Sequence, residues 1–287
     1  MKKQIVAMGD GLWDLFPDGP RFGGATANYA CHTSILGAEV FMVSGVGEDD
    51  RGKALLQVYQ KHGVCTEQVQ VLKDYPTGVV HVELSEGGLP TFRIEDNSAW
   101  DHWQWNEKIK QKVKTADALY FGTLGQRGVL SKQSIIKALK IAIDRGVPRI
   151  LDINLRFPFY NSSLIRKSVE LCSVLKLSDE ELIEVMKACD ISLDISIEMS
   201  LKNLRAKYGL DLVVMTKGCD GALLVSADDI VSQPGFKTDV VDTVGAGDSF
   251  TASMTLGLLE KKKYAEILSD ACKVAANVCS HRGAVPQ

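Results

Sequence analysis

Short apolar runs rich in β-branched residues alternate with amphipathic helical segments along almost the whole chain, and this alternation leaves few architectures open. The sequence predicts strands at Gln4–Gly9, Glu39–Gly45, Ala118–Gly122, Arg149–Asn154, Val174–Leu177, Asp211–Thr216 and Ala222–Ser226. Between them, apolar positions recur at helical spacing over Ala25–Leu36, Gly52–His62, Lys132–Arg145 and Asp179–Lys187. Strands that are apolar on both sides need cover on both sides. The expected fold is therefore α/β: a doubly wound, mostly parallel sheet with helices on both faces. Leu36-Gly37, His62-Gly63 and Arg145-Gly146 each place a glycine where a helix should end in a left-handed cap.

One stretch breaks the rhythm. Thr77 to Asp96 reads as two strand-like runs around Ser85-Glu-Gly-Gly-Leu-Pro90, which predicts an antiparallel hairpin. A further strand-like piece, Leu12–Phe16, is placed to pair beside it. Together, residues of about 11–17 and 77–97 would make a small sheet projecting from a single domain spanning 1–287, suited to act as a lid. A decorative edge hairpin is the plainer alternative.

Composition removes several classes of function. Among 287 residues, 45% are hydrophobic and 24% charged, and the net charge of −3 comes with no basic block, so neither nucleic acid nor an anionic membrane is an expected partner. No apolar run approaches the ~20 residues of a membrane span. The N-terminal lysines are followed too soon by Asp10 for a secretory signal. Seven cysteines without a CxxC pair suit a reducing compartment, and a cytoplasmic location is expected. The five histidines have no metal-ligand spacing.

The most informative motif is Asp242-Thr-Val-Gly-Ala-Gly-Asp-Ser-Phe250. Val240-Val241 before it reads as the end of a buried strand or extended segment. Phe250, Met254, Leu256 and Leu258-Leu259 after it form a helical stripe. A glycine-rich turn that opens a helix presents unpaired N–H groups and the positive end of the helix dipole to an anion. Gly245, Ala246 and Gly247 are thus candidates for an anion hole around a transferring phosphoryl group. Asp248 beside them can take the proton of an attacking hydroxyl. Asp is also a common helix-capping residue and GAG a common turn, and the motif alone leaves both readings open.

This motif resembles the C-terminal signature of ribokinase-like (pfkB-type) carbohydrate kinases, and further motifs follow in the family's order. They are Gly9-Asp-Gly-Leu-Trp-Asp14, Phe22-Gly-Gly-Ala-Thr-Ala-Asn28, Val46-Gly-Glu-Asp-Asp-Arg-Gly52, Leu151-Asp-Ile-Asn-Leu-Arg156, Lys176-Leu-Ser-Asp-Glu-Glu181 and Thr216-Lys-Gly218 with Gly221. The wording is most similar to the bacterial fructokinase-like branch. The resemblance implies a ribokinase-like fold and ATP- and Mg²⁺-dependent phosphorylation of a sugar's primary hydroxyl, with fructose the first candidate. Ribose, 2-keto-3-deoxygluconate, adenosine, or a non-catalytic sugar- or nucleotide-binding role are the alternatives.

By the same resemblance, Asp14, Gly23, Gly24, Asn28, Asn154 and Arg156 would meet the sugar, with Asp248 as base. Lys176, Thr216, Lys217, Gly218, Gly221, Gly245, Gly247 and Asn277 would meet ATP, and the segment Ala275–Asn277 and Gly283 would border its adenine. Glu181 would place hydrated Mg²⁺, although Ser178 stands where the family usually has Asn. Asp242 and the carbonyl of Val244 match a K⁺ site. The competing reading of Asn28 is a solvent-facing helix residue; of Arg156, a surface arginine; of Glu181, an acidic first helical turn. An exposed lid edge suggests a homodimer.

Other patterns are set aside. Gly47–Lys53 has the spacing of a phosphate-binding P-loop, but Ala54 lacks the hydroxyl and three carboxylates crowd the loop, so it reads as a turn and helix start. Gly45-Val-Gly47 lacks the third glycine of a dinucleotide fingerprint. Trp100, Trp103 and Trp105 could stack on a sugar but more naturally pack beneath the lid.

Overall fold

The computed structural model describes residues 2–84, 90–193 and 196–286. Thirteen strands and nine α-helices occur among them. In chain order these are β1 (Gln4–Met8), β2 (Leu12–Phe16), β3 (Gly19–Gly23), α1 (Ala25–Ile35), β4 (Glu39–Gly47), α2 (Asp50–Lys61), β5 (Cys65–Leu72), β6 (Gly78–Leu84) and β7 (Pro90–Ile94). Next come α3 (Glu107–Thr115), β8 (Ala118–Gly122), α4 (Val129–Asp144), β9 (Arg149–Asp152), α5 (Ser162–Leu171), β10 (Val174–Ser178), α6 (Leu182–Ala188) and α7 (Ile197–Tyr208). The chain closes with β11 (Leu212–Thr216), β12 (Ala222–Val225), β13 (Ile230–Gln233), α8 (Ala246–Leu259) and α9 (Tyr264–Cys279).

The large sheet has the order β13-β12-β11-β10-β9-β8-β1-β4-β5. Its strands from β11 to β5 are parallel, while the β11–β12 and β12–β13 pairs at one edge are antiparallel. Strand alternation divides the core between the two faces. In β1, Ile5 and Ala7 join the residues of α1, α2, α8 and α9, whereas Val6 and Met8 join those of α3 to α7. This is the doubly wound architecture that the sequence predicts.

The small sheet has the order β3-β2-β6-β7. Its β2–β3 and β6–β7 pairs are antiparallel, and β2–β6 is parallel. The 77–96 hairpin and the strand at 12–16 therefore form as expected, with the hairpin's turn outside the described residues. The bounds 11–17 and 77–97 are too narrow, however, because Gly19–Gly23 adds a fourth strand. Asp49 pins this sheet to the large one. It caps α2 by accepting from Gly52 N at 2.7 Å, and it also accepts from Thr77 N at 2.8 Å and Thr77 Oγ1 at 2.7 Å. Trp100 and Trp103 are fully buried, and a Cβ on Gly78 would lie 2.5 Å from Trp100 Nε1. Trp100 thus packs under the small sheet, whereas Trp103 lies in the large-sheet core with Val6 and Met8, and Trp105 packs against that core.

Three strands go beyond the sequence expectation: β3, β5 and β13. The buried-strand reading of Val240-Val241 fails. Val240 and Val241 are 65% and 55% exposed and lie in an irregular segment, not at the end of a buried strand.

Candidate active site

The carboxyl ends of the parallel strands and the first turns of α1 and α8 converge on one cleft. At the end of β1, Gly9 and Asp10 turn the chain toward the small sheet. Asp10 Oδ2 accepts from Ala25 N at 2.7 Å and its Oδ1 from Thr26 Oγ1 at 2.8 Å. It thereby caps α1, whose own N-cap residue, Gly24, has no side chain to do so. Both positions that lead into α1 are held to glycine by their surroundings. A Cβ on Gly23 would sit 2.2 Å from Asp14 Oδ2, and Gly24 has φ 98° with Asp10 O 3.1 Å from where its Cβ would be.

Asn28 follows on the first turn of α1 and is only 4% exposed, which excludes the solvent-facing reading. Its Nδ2 donates to Asp248 Oδ2 at 2.8 Å, while its buried Oδ1 has no partner among the described residues. An orphaned buried acceptor costs stability unless something donates to it. Asp14, on β2, also borders the cleft. Burial, followed by the charge of Asp10, raises its pKa to about 6 against the opposing charges of Arg156 and Arg21.

Gly245 opens α8 in the left-handed region at φ 80°, and a Cβ there would lie 2.3 Å from Ala284 O. A Cβ on Gly247 would meet only Lys176 Nζ, at 3.2 Å, so the space over this turn is otherwise open. Ala246 N donates back to Thr243 O at 3.3 Å, while the N–H groups of Gly247 and Asp248 have no intrahelical acceptors and form an anion-binding end. Asp248 stands in that turn. Burial first, then the charge of Asp152 and to a smaller extent Asp10, raises its pKa to about 7, against the Asn28 hydrogen bond and Lys176. Such a carboxyl exchanges a proton readily near neutral pH.

The remaining expected residues divide. Asp242 clips two segments together: its Oδ1 accepts from Val244 N at 3.1 Å and its Oδ2 from Gly283 N at 3.0 Å. Asn154, with φ 39°, and Arg156 follow β9, and Arg156 is exposed with Nη1 donating to Leu155 O. Glu181 joins two loops, its Oε1 accepting from Leu155 N at 2.7 Å and its Oε2 from Ser178 N at 2.8 Å. Both of its oxygens are thus engaged by the main chain, which suits holding a metal through water better than binding it directly. Among the described residues no cluster of three His, Cys, Asp or Glu could hold a metal ion.

A cavity of about 420 Å³ extends from this turn along α9. Thr216, Gly218, Gly221, Ala246 and Gly247 line it together with Cys272, Ala275, Ala276 and Cys279 of one helical face. Lys217 and Asn277 do not line it; Asn277 lies on the exposed side of α9. Gly283 is not on its wall either and sits at the Asp242 clip. The sequence reading omits Asp10, Asp152 and Thr251. Asp10 and Asp152 directly follow or end buried strands, and Thr251 lies one helical turn after Asp248, but only the fold joins them to the site.

The model of the pfkB family carbohydrate kinases matches residues 19–287. The chain belongs to this family. As a pfkB kinase it is a carbohydrate kinase, and its large sheet with a small separate sheet is the ribokinase-like fold. It is 26% identical to the aminoimidazole riboside kinase of Salmonella typhimurium over 297 residues, covering 98% of this chain and 91% of the relative. Fructokinase-2 of Zea mays is 27% identical over 309 residues, covering 98% and 90%. The crystal structure of the Salmonella enterica aminoimidazole riboside kinase, complexed with aminoimidazole riboside and an ATP analog, aligns with a TM-score of 0.81 at 25% identity. It covers 98% of this chain and 95% of that one. Among the described residues of this pfkB kinase, no helix is long and apolar enough to cross a membrane.

Proposed function

We propose that this kinase transfers the γ-phosphoryl group of ATP to the primary hydroxyl of a furanose-forming sugar, with fructose the first candidate. The observation that carries the reading is the Asn28–Asp248 pair at the mouth of an uncapped glycine turn. Ionised Asp248 removes the proton of the attacking hydroxyl as its oxygen bonds to the γ-phosphorus. The bond to the bridging oxygen breaks, ADP leaves, and the proton ends on Asp248. The N–H groups of Gly247 and Asp248 receive the negative charge on the transferring group.

Asn28 Oδ1 then accepts from a sugar hydroxyl, and Asp14 and the main chain at Gly23-Gly24 hold others. Arg156, whose charge acts on Asp14, is assigned as a further sugar contact. The nucleotide lies in the cavity beside Thr216, Gly218 and Gly221, its phosphates toward Gly245 and Gly247. Glu181 would hold hydrated Mg²⁺, which would supply neutralisation of the phosphate charge. Asp242 and Val244 are assigned to K⁺. The small sheet closes over the sugar and excludes water, which limits wasteful hydrolysis.

A ribofuranoside such as aminoimidazole riboside is the second reading. The similarity to its kinase matches that to the fructokinases. Sugar-dependent ADP release across fructose, ribose, aminoimidazole riboside, 2-keto-3-deoxygluconate and adenosine tests both. Fructose-dependent turnover abolished by Asp248→Ala supports the first reading; preference for the riboside replaces the substrate and keeps the mechanism. No turnover with any of them would sink the proposal as stated.

A further inference from the structure

Beneath the glycine turn lies a buried ion pair that includes Lys176, which the family resemblance assigns to ATP but which does not line the nucleotide cavity. Lys176 Nζ, on β10, is 3.1 Å from Asp152 Oδ1 at the end of β9, and their side chains are 8% and 1% exposed. The second oxygen of Asp152 is 2.9 Å from Thr251 Oγ1, and that hydroxyl is also 2.9 Å from the carbonyl of Gly247. Donating to Asp152, the single hydroxyl proton of Thr251 ties that carboxylate to α8 one helical turn beyond Gly247. Lys176 points to the same residue, since its Nζ lies 3.2 Å from where a Cβ of Gly247 would be.

A buried ion pair is poor evidence of stabilisation, because desolvation of both charges commonly offsets their attraction. Keeping one here therefore calls for another reason, and its position supplies it. We propose that Asp152 and Lys176 form a charged platform under the Gly245–Asp248 turn. Asp152 anchors α8 through Thr251, and Lys176 holds a positive charge under the path of the transferring phosphoryl group. The inference rests on the phosphoryl-transfer reading above and assigns both residues a positioning role.

The electrostatics agree. Burial works against the Lys176 ammonium, but Asp152, Glu181 and Asp248 outweigh it and raise its pKa above the ordinary lysine value. The ammonium persists at neutral pH. Asp248 itself is faced by Asn28 of α1, Asp152 of β9, Lys176 of β10, Asp10 after β1 and Tyr120 of β8. Of these, Asp152 disfavours its ionisation and Lys176 favours it.

The test measures kcat, KM and their pH profiles for Lys176→Met, Asp152→Asn and the double variant Asp152→Leu/Lys176→Met, with the affinity for a non-hydrolysable ATP analogue. The double variant replaces both charges by apolar groups, a change that buried pairs commonly tolerate. Lys176→Met should lose roughly 10²-fold in kcat, the scale of losing one charge-stabilising group. Analogue affinity should stay within about threefold. Its acid limb should move to higher pH, and that of Asp152→Asn to lower pH.

A double variant that melts cooperatively and turns over within about threefold of wild type would overturn the platform. So would a loss confined to nucleotide affinity. If the double variant does not fold, Asp152→Asn decides, because an unmoved acid limb would also overturn it. Asp248→Asn separates the two levels. Should that variant keep turning over, the base assignment fails; should it be dead while the double variant is active, only the platform fails.

Discussion

Asn28 Nδ2 donates to Asp248 Oδ2 at 2.8 Å, joining the first turns of α1 and α8 across 220 residues of sequence. The bond holds one carboxylate oxygen and leaves the other free to take a proton. Replacing Asp248 by Ala should lower kcat by ~10²–10⁴-fold, the range for a positioned base, with a much smaller change in KM for ATP. A coupled assay of ADP release measures both. Near-normal turnover would remove Asp248 from the mechanism.

The same bond governs the pH profile. Asp248 must be ionised to act, and its pKa is raised to about 7, so kcat should rise with pH through an acid limb near neutrality. Substrates desolvate the cleft further, so the limb in the complex should not fall below that of the free enzyme. The Asn28 hydrogen bond favours the ionised form, and Asn28→Ala should therefore shift the limb upward while raising KM for the sugar. A limb at the ordinary aspartate value, unmoved in Asn28→Ala, would contradict this electrostatic account.

Much of this was legible in the sequence because it depends on local pattern. β1, β4, β8 and β10 are buried apolar runs, and the turn at Gly245–Asp248 requires glycines that the sequence displays. What was hidden depends on neighbours. Gly19-Pro-Arg-Phe-Gly23 has no strand character of its own and becomes β3 by pairing with β2. β5 lies at the sheet edge and carries Thr66, Glu67 and Gln68 in a row, which breaks the alternation of a strand, and β13 is short and half-exposed. Val240-Val241 has the composition of a buried strand, yet among the described residues no strand pairs with it, so propensity loses to context. Asp10 and Asp152 were visible as residues. The first becomes a helix cap, and the second a partner of Lys176, only because the parallel sheet brings distant strand ends side by side.

The two glycines of the turn should respond differently to alanine. At Gly245 a Cβ would lie 2.3 Å from the Ala284 carbonyl on a backbone with φ 80°, so Gly245→Ala should destabilise the fold by at least ~1 kcal/mol and lower Tm. At Gly247 the Cβ meets only the flexible end of Lys176, at 3.2 Å. Gly247→Ala should fold with a Tm near that of wild type, but its methyl group would project where the phosphoryl group must approach, and kcat should fall. Thermal melts and kcat on the same two proteins check the contrast. Equal losses of stability would show that both glycines serve only the backbone.

Asp242 offers a test of monovalent cation dependence. Its carboxylate joins Val244 N and Gly283 N, so a cation beside it would tighten the segment that supports Gly245. Turnover in K⁺ should exceed that in tetramethylammonium at matched ionic strength, and Asp242→Asn should reduce the difference. Equal rates in the two salts would set the K⁺ assignment aside.

Function at Asp248 should also carry a stability cost, whose sign follows from its titration. The folded-state pKa, about 7, lies above the ordinary value of 3.8. The unfolded chain therefore releases this proton first as pH rises, and the group's contribution to stability is full below about 3.8 and lost as pH passes through about 7. Asn in its place keeps the hydrogen-bonding shape and has no charge to bury. Asp248→Asn should accordingly melt at a higher temperature than wild type at pH 8, and the gap should narrow as the pH falls toward 5. Scanning calorimetry across that range, without substrates, measures it. A variant that melts lower at pH 8 would mean that the ionised carboxylate is already satisfied in the free enzyme, and that its raised pKa does not describe the resting site.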